Sequence, residues 1–185
     1  MHPDTMRLID RWVGIPLCFF ASIWPLKKAQ ADSNSTLATN IPPPDTIVFI
    51  LIAEIGALVV AYPAIKETRK QHPKSRICFI TTPAGLQKLE LMGFEKEDIF
   101  LLETLSIKSL LKGIVNIRSH FKGRRVSAIV LEPFTRFSTL LSAWIGASKR
   151  IGCYRFLNEG VYLGNILTHR LVYNPHLHMS QTYFA

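Results

Sequence analysis

From residue 47 onward the chain alternates short, unbroken apolar runs with longer segments whose apolar positions recur every three or four residues. Ile47-Val-Phe-Ile-Leu-Ile52 contains no polar residue. A strand formed there carries apolar side chains on both faces, as the interior strands of a parallel sheet do. Ala57 to Gln71 has a helical pattern and ends in basic residues before Pro73. Arg76 to Thr81 reads as a second strand, Pro83 to Met92 as a short helix closed by Gly93, and Ile99 to Leu102 as a third strand. Ser106 to Phe121 is amphipathic, with apolar residues at 107, 110, 111, 114, 117 and 121, and Gly123 follows it. Val126 to Leu131 is a fourth strand, Arg136 to Ile145 a helix ending at Gly146, and Arg150 to Cys153 a fifth strand. Strands alternating with helices across short turns predict βαβ units, hence an α/β fold with a doubly wound, Rossmann-like parallel sheet. No internal repeat is present.

The pattern before residue 47 is different. Trp12 to Leu26 is a charge-free stretch of fifteen residues, about 22 Å long as a helix and so short of a ~30 Å hydrocarbon core. Pro16 and Pro25 interrupt it; Trp12 and Trp24 sit near its ends, with Arg7, Arg11, Lys27 and Lys28 outside them. Residues 1–28 therefore read as a membrane-surface segment, with residues 8–26 lying on the headgroup layer. A cleaved leader ending at Ala29-Gln-Ala31 and a helix buried in the domain are the alternatives. Residues 29–46 are small and polar and end in Pro42-Pro43-Pro44, the composition of a flexible linker. The globular domain is expected over residues 47–185.

Composition narrows the partners. The 185 residues carry 22 Lys and Arg against 13 Asp and Glu, a net charge of +9. An acidic substrate or an anionic lipid surface fits this excess. The densest basic stretch, Lys122-Gly-Arg-Arg125, lacks interleaved aromatics, which argues against nucleic acid. Cys18, Cys78 and Cys153 have neither the number nor the spacing of a disulfide framework or a zinc site, and suit a reducing, cytoplasmic setting.

Ligands of an open parallel sheet bind at the carboxyl ends of its strands. The loop after the first strand, Ala53-Glu-Ile-Gly-Ala57, has neither a dinucleotide nor a P-loop fingerprint. Gly56 allows backbone N–H groups to approach an anion there, or is a plain turn residue. The loop after the fourth strand, Glu132-Pro-Phe-Thr-Arg-Phe-Ser138, offers Glu132, Arg136 and Ser138 to a sugar hydroxyl or phosphate. The alternative is a helix capped by Thr135 with Glu132 in solvent. His176 and His178 are two residues apart without a third ligand at useful spacing, so no metal and no cofactor is expected.

The run Phe49-Ile-Leu-Ile-Ala-Glu-Ile-Gly-Ala-Leu-Val-Val-Ala-Tyr-Pro-Ala-Ile-Lys-Glu-Thr-Arg-Lys-Gln-His-Pro73 resembles the opening of glycosyltransferase family 9, the heptosyltransferases of lipopolysaccharide assembly. Arg136-Phe-Ser-Thr-Leu-Leu-Ser-Ala-Trp-Ile-Gly-Ala-Ser-Lys-Arg-Ile-Gly-Cys-Tyr154 is similar to a later segment of that family; Glu159-Gly160 and Thr168-His169-Arg170 continue it. His178 resembles the histidine that opens the last helix of the family's acceptor domain. The resemblance covers residues 47–185 and implies the amino-terminal, acceptor-binding half of a GT-B enzyme. Such an enzyme is inverting and metal-free: a carboxylate deprotonates the acceptor hydroxyl as it attacks a nucleotide-sugar. The implied acceptor is a glycolipid or other cell-surface saccharide at the cytoplasmic face of the inner membrane. Gly56, Arg136, Ser138 and His169 are its expected contacts. The family's base follows the loop glycine, where this chain has Ala57, so Glu54 is the substitute candidate and Glu132 the spare. The resemblance also implies that the nucleotide-sugar binds in a second domain beyond these 185 residues, leaving this part inactive alone. A non-catalytic saccharide- or partner-binding module is the rival reading.

Overall fold

A computed structural model describes residues 14–23, 43–52, 55–104, 106–133, 135–156, 163–174 and 176–184. Its elements, in chain order, are α1 (Ile15–Ile23), β1 (Thr46–Leu51), α2 (Ile55–Gln71), β2 (Arg76–Thr81), α3 (Pro83–Leu91), a 3₁₀ turn (Lys96–Asp98), β3 (Ile99–Leu101), α4 (Ile107–Phe121), β4 (Val126–Val130), α5 (Arg136–Trp144), β5 (Lys149–Phe156), β6 (His169–Tyr173) and α6 (Met179–Thr182). The six strands form one sheet in the order β3-β2-β1-β4-β5-β6, and every neighbouring pair is parallel. This is the Rossmann-like doubly wound α/β fold that the alternation predicted.

The continuous apolar run of β1 lies in the interior of the sheet, between β2 and β4, and all six of its residues are buried. Alternate residues serve opposite faces. Val48, Ile50 and Ile52 join Cys78, Ile80, Ile117, Phe121 and Leu141 beneath α4 and α5. Ile47, Phe49 and Leu51 join Leu58, Ile65, Phe79 and Leu89 beneath α2 and α3. The Phe49 and Phe79 rings stack at 5.5 Å across adjacent strands, and Phe94 closes on Phe79 at 4.5 Å. Burying both faces of one strand in two clusters is what fixes its central position.

Helix boundaries follow local chemistry. Ser106 caps α4 by accepting from the Ser109 N–H at 3.3 Å. Gly146, just past α5, adopts φ +83°, a conformation that favours glycine. Gly85 has a different role: a Cβ there would lie 2.3 Å from Thr81 Oγ1, so α3 rests almost directly on the end of β2. The chain enters the sheet at Asp45, whose carboxylate accepts from the Arg125 backbone N–H at 3.0 Å and its guanidinium at 2.6 Å.

Three expectations are corrected. The fifth strand is longer than Arg150–Cys153, running from Lys149 to Phe156, and a sixth strand beyond it was not foreseen. β6 is an edge strand, His-Arg-Leu-Val-Tyr, whose residues are exposed or only partly buried, so it never acquires the apolar run that marked the interior strands. Thr135 stands at the N-cap of α5 with extended dihedrals but makes no side-chain cap bond; its hydroxyl donates instead to the Pro133 carbonyl at 3.4 Å. Glu132 is buried, not solvated.

Of the segment 8–26, residues 14–23 are described, and α1 packs on α5. Cys18 is fully buried against Ala143 and Ile166, while Ile15, Leu17, Phe19 and Phe20 are exposed. Among the described residues no helix is long and apolar enough to cross a membrane. The proposed linker, apart from its last few residues, lies outside the described residues, as do Glu159 and Gly160.

Candidate active site

β1 and β4 are adjacent and parallel, yet the helices that follow them cover opposite faces of the sheet: α2 lies with α3 on one side, α5 with α4 on the other. Their carboxyl ends are therefore the topological switch point, where loops diverge and leave a crevice. The ladder between them continues past the strands, with the Leu131 N–H donating to the Ile50 carbonyl at 3.1 Å.

Glu132 is the next residue, 2% exposed. Its Oε1 accepts the Ile52 backbone N–H at 2.6 Å, and its Oε2 accepts a close hydrogen bond from the Ser138 hydroxyl. One carboxylate thus ties the end of β1 to the first turn of α5, across 80 residues of sequence. Ile52 immediately precedes residues 53–54, so the tether fixes where that loop begins.

Glu54 itself lies outside the described residues. Gly56, in the first turn of α2, is exposed, and a Cβ there would meet nothing within 4 Å. Ala57 takes part in the apolar packing of α2. On the other side of the crevice Arg136, the first residue of α5, is 9% exposed. Ser138 is wholly buried, and Thr139 and Ser142 beside it turn their hydroxyls to the Thr135 and Thr139 carbonyls at 2.8 and 2.6 Å. Glu132, Arg136 and Ser138 are therefore brought together at the crevice. His169 is not: it opens the edge strand β6 in register with Ile151, two strands away from β4. Its imidazole lies 2.9 Å from Thr168 Oγ1, and burial first, then the charge of Lys149, lowers its pKa.

Two further side chains, Tyr183 and Arg150, had no local signal in the sequence. Tyr183, carried by the turn after α6, donates its hydroxyl to the Leu131 carbonyl at 2.8 Å and so pins the end of the chain to the crevice rim. His178 caps α6 by accepting from the Ser180 N–H at 3.3 Å. Arg150, 4% exposed on β5, spends its guanidinium on the Ile166 and Ala147 carbonyls at 2.6 and 2.5 Å, and burial lowers its pKa. No group of three His, Cys, Asp or Glu among the described residues is arranged to hold a metal.

These features define a Rossmann-like α/β domain built on a doubly wound, all-parallel sheet. Two solved structures of the E. coli heptosyltransferase WaaC, one with ADP-2-deoxy-2-fluoro heptose and one with ADP, share the fold with a TM-score of 0.57. The match covers 75% of this chain at 9% sequence identity, and this chain spans 45% of the heptosyltransferase. No family model matches the chain, and no curated protein does.

Proposed function

We propose that this domain binds the acceptor in an inverting glycosyl transfer from a nucleotide-sugar, a heptose or related sugar, to a lipopolysaccharide or other cell-surface saccharide. The tether from Glu132 to the Ile52 N–H supports this reading best, because it anchors the end of β1 at Ile52, the last described residue before Glu54 in the sequence, at the carboxyl edge of the sheet. In this reading Glu54 is the base that takes the acceptor proton, and it must come within about 3 Å of the attacking hydroxyl. Glu132, with both oxygens engaged and little exposure, ties the end of β1 to the start of α5. Arg136 faces the anionic groups of the acceptor, with Gly56 opening the way in. Ser138 acts through Glu132. The nucleotide-sugar binds a second domain of the same enzyme, and transfer requires both.

The setting is the cytoplasmic face of the inner membrane, where residues 8–26 lie on the headgroup layer. Support comes from Ile15, Leu17, Phe19 and Phe20, which α1 leaves exposed on its outer side. A second reading, a non-catalytic saccharide-binding module, is favoured by Ala57, which cannot take a proton where the resembled family has its base.

Calorimetric titration tests the first reading. Inner-core lipopolysaccharide oligosaccharides should bind the chain, Arg136→Ala should weaken them, and nucleotide-sugars alone should give no heat. Tight nucleotide-sugar binding with no saccharide binding would overturn it. In an enzyme supplied with a donor domain, Glu54→Gln should cut turnover roughly a hundredfold or more, whereas a binding module shows no transfer to lose.

A further inference from the structure

Acidic residues are distributed unevenly. Between Thr104 and Asn158 the sequence has ten Lys and Arg and a single acid, Glu132, and that one is buried at the crevice. The two helices in this stretch, α4 and α5, contain no Asp or Glu, and neither does α1, which packs on α5. The opposite face differs: Glu67 and Glu90 lie on α2 and α3, and Glu95, Glu97 and Asp98 follow in the turn before β3.

These three helices, which carry no acid although the exposed Glu103 precedes α4, also expose large apolar side chains. Ile107, Leu111 and Val115 are 72%, 55% and 57% exposed and follow one another at four-residue steps, so they share one flank of α4. Arg118 ends that flank. Its guanidinium donates to the Trp144 carbonyl and lies 5.9 Å from the Trp144 ring, which turns the flank toward α5. Trp144 is itself 53% exposed. On the far side of α5, α1 adds Leu17, Phe19 and Phe20. Lys108, Lys112, Lys122 and Arg124 are exposed along α4 and just past its end. Several large apolar side chains exposed on one face and set among cations mark an interaction site.

We infer that the α4–α5–α1 face docks on an anionic lipid surface, with Ile107, Leu111, Val115 and Trp144 entering the headgroup layer and the lysines of α4 meeting lipid phosphates. Nucleic acid would satisfy the cations but leave the apolar flank exposed to water. A second copy related by two-fold symmetry would set basic helix against basic helix. An anionic bilayer satisfies both, with the tryptophan at the depth such rings prefer. The inference rests on the membrane-surface reading of residues 8–26 and carries the contact to residues outside that segment. It also orients the domain. Ile107 opens α4 just after the carboxyl end of β3, the edge on which the crevice opens, so docking sets the crevice beside a lipid-borne acceptor.

Vesicle flotation of the 185-residue chain tests this, using phosphatidylcholine with and without phosphatidylglycerol. The chain should float with the anionic vesicles and far less with the neutral ones. Leu111→Ser with Val115→Ser should lower partitioning roughly tenfold or more while leaving the Tm near that of the parent, since both side chains are largely exposed. Lys108→Gln with Lys112→Gln should reduce its salt dependence. Phe19→Ser with Phe20→Ser probes α1 separately. If that pair abolishes flotation and the α4 pair has no effect, the membrane reading stands and the α4 docking face is refuted. If the parent floats with neither vesicle, both fail. Equal flotation with neutral vesicles, or loss of self-association in the α4 pair, also overturns the inference.

Discussion

Replacing Glu132 by alanine tests whether its carboxylate holds the crevice together. The substitution strips the acceptor from two buried donors, the Ile52 N–H and the Ser138 hydroxyl. A buried donor left without a partner costs about 1–3 kcal/mol, and a hydrogen bond to a charged acceptor contributes about 1.5–3 kcal/mol. Some of this is offset because the variant no longer buries a charge. A net loss of about 2–4 kcal/mol is expected. At roughly 2–4 °C per kcal/mol for a chain of this size, the Tm should fall by about 4–16 °C. Ser138→Ala removes one of the two bonds and should cost about 1–2 kcal/mol.

The double variant makes the test specific. Because Ser138 donates to Glu132, the two losses should not add, and urea denaturation of parent, singles and double should give a coupling of about 0.5–3 kcal/mol. Hydrogen exchange adds a local readout: the Ile52 amide should be protected in the parent and exchange much faster in Glu132→Ala. A loss below about 0.5 kcal/mol, the range of an ordinary surface change, would refute the tether. So would an Ile52 amide that exchanges equally fast in both proteins.

Other consequences can be measured on the same chain. Gly85→Ala should cost about 1–3 kcal/mol by overpacking, because the new methyl would meet Thr81 Oγ1 at 2.3 Å; Thr81→Ala in the same chain should restore most of the loss in urea titrations. The Cys78 thiol, fully buried and pushed up to about 11 by desolvation, should resist a disulfide reagent until the domain unfolds. Cys18 lies on the short helix α1 itself, on the side packed against Ala143 and Ile166, and should be labelled first, through local opening of that helix. His120 is held between the Phe100 and Phe121 rings at 4.7 and 5.3 Å; burial above all, then the charges of Arg124 and Arg76, lowers its pKa. Below about pH 6.5 the unfolded chain takes a proton that the folded one refuses, so stability should fall with pH from there to the lower folded pKa and level off beneath it. Urea midpoints between about pH 8 and pH 5 should show that slope, reduced in His120→Gln; an unchanged slope in the variant would assign it to other groups.

How much of this was legible in the sequence depends on how far apart the interacting residues are. β1 could be placed because its signal is contained within itself: six apolar residues in a row fit no position but the middle of a parallel sheet. The α4 helix was equally plain, since its period and its Ser106 cap lie within sixteen consecutive residues. β6 could not be found that way, because an exposed edge strand owes its existence to the backbone of β5 and not to an apolar pattern of its own. The crevice shows the same limit. Glu132, Arg136 and Ser138 were singled out because they end a strand and begin a helix, but the partner that gives Glu132 its role is the backbone N–H of residue 52. A main-chain donor carries no residue identity, so no motif could have announced it. From sequence alone Glu132 reads as a proton acceptor or a solvated charge; burial corrects the second, and its two donors tie it to the end of β1 at Ile52. The same reasoning explains Arg150, which the sequence marks only as the start of a strand and whose guanidinium is spent inside on two carbonyls. In this fold, local pattern specifies which elements form, and contacts between residues far apart in sequence specify what the polar groups at their ends can do.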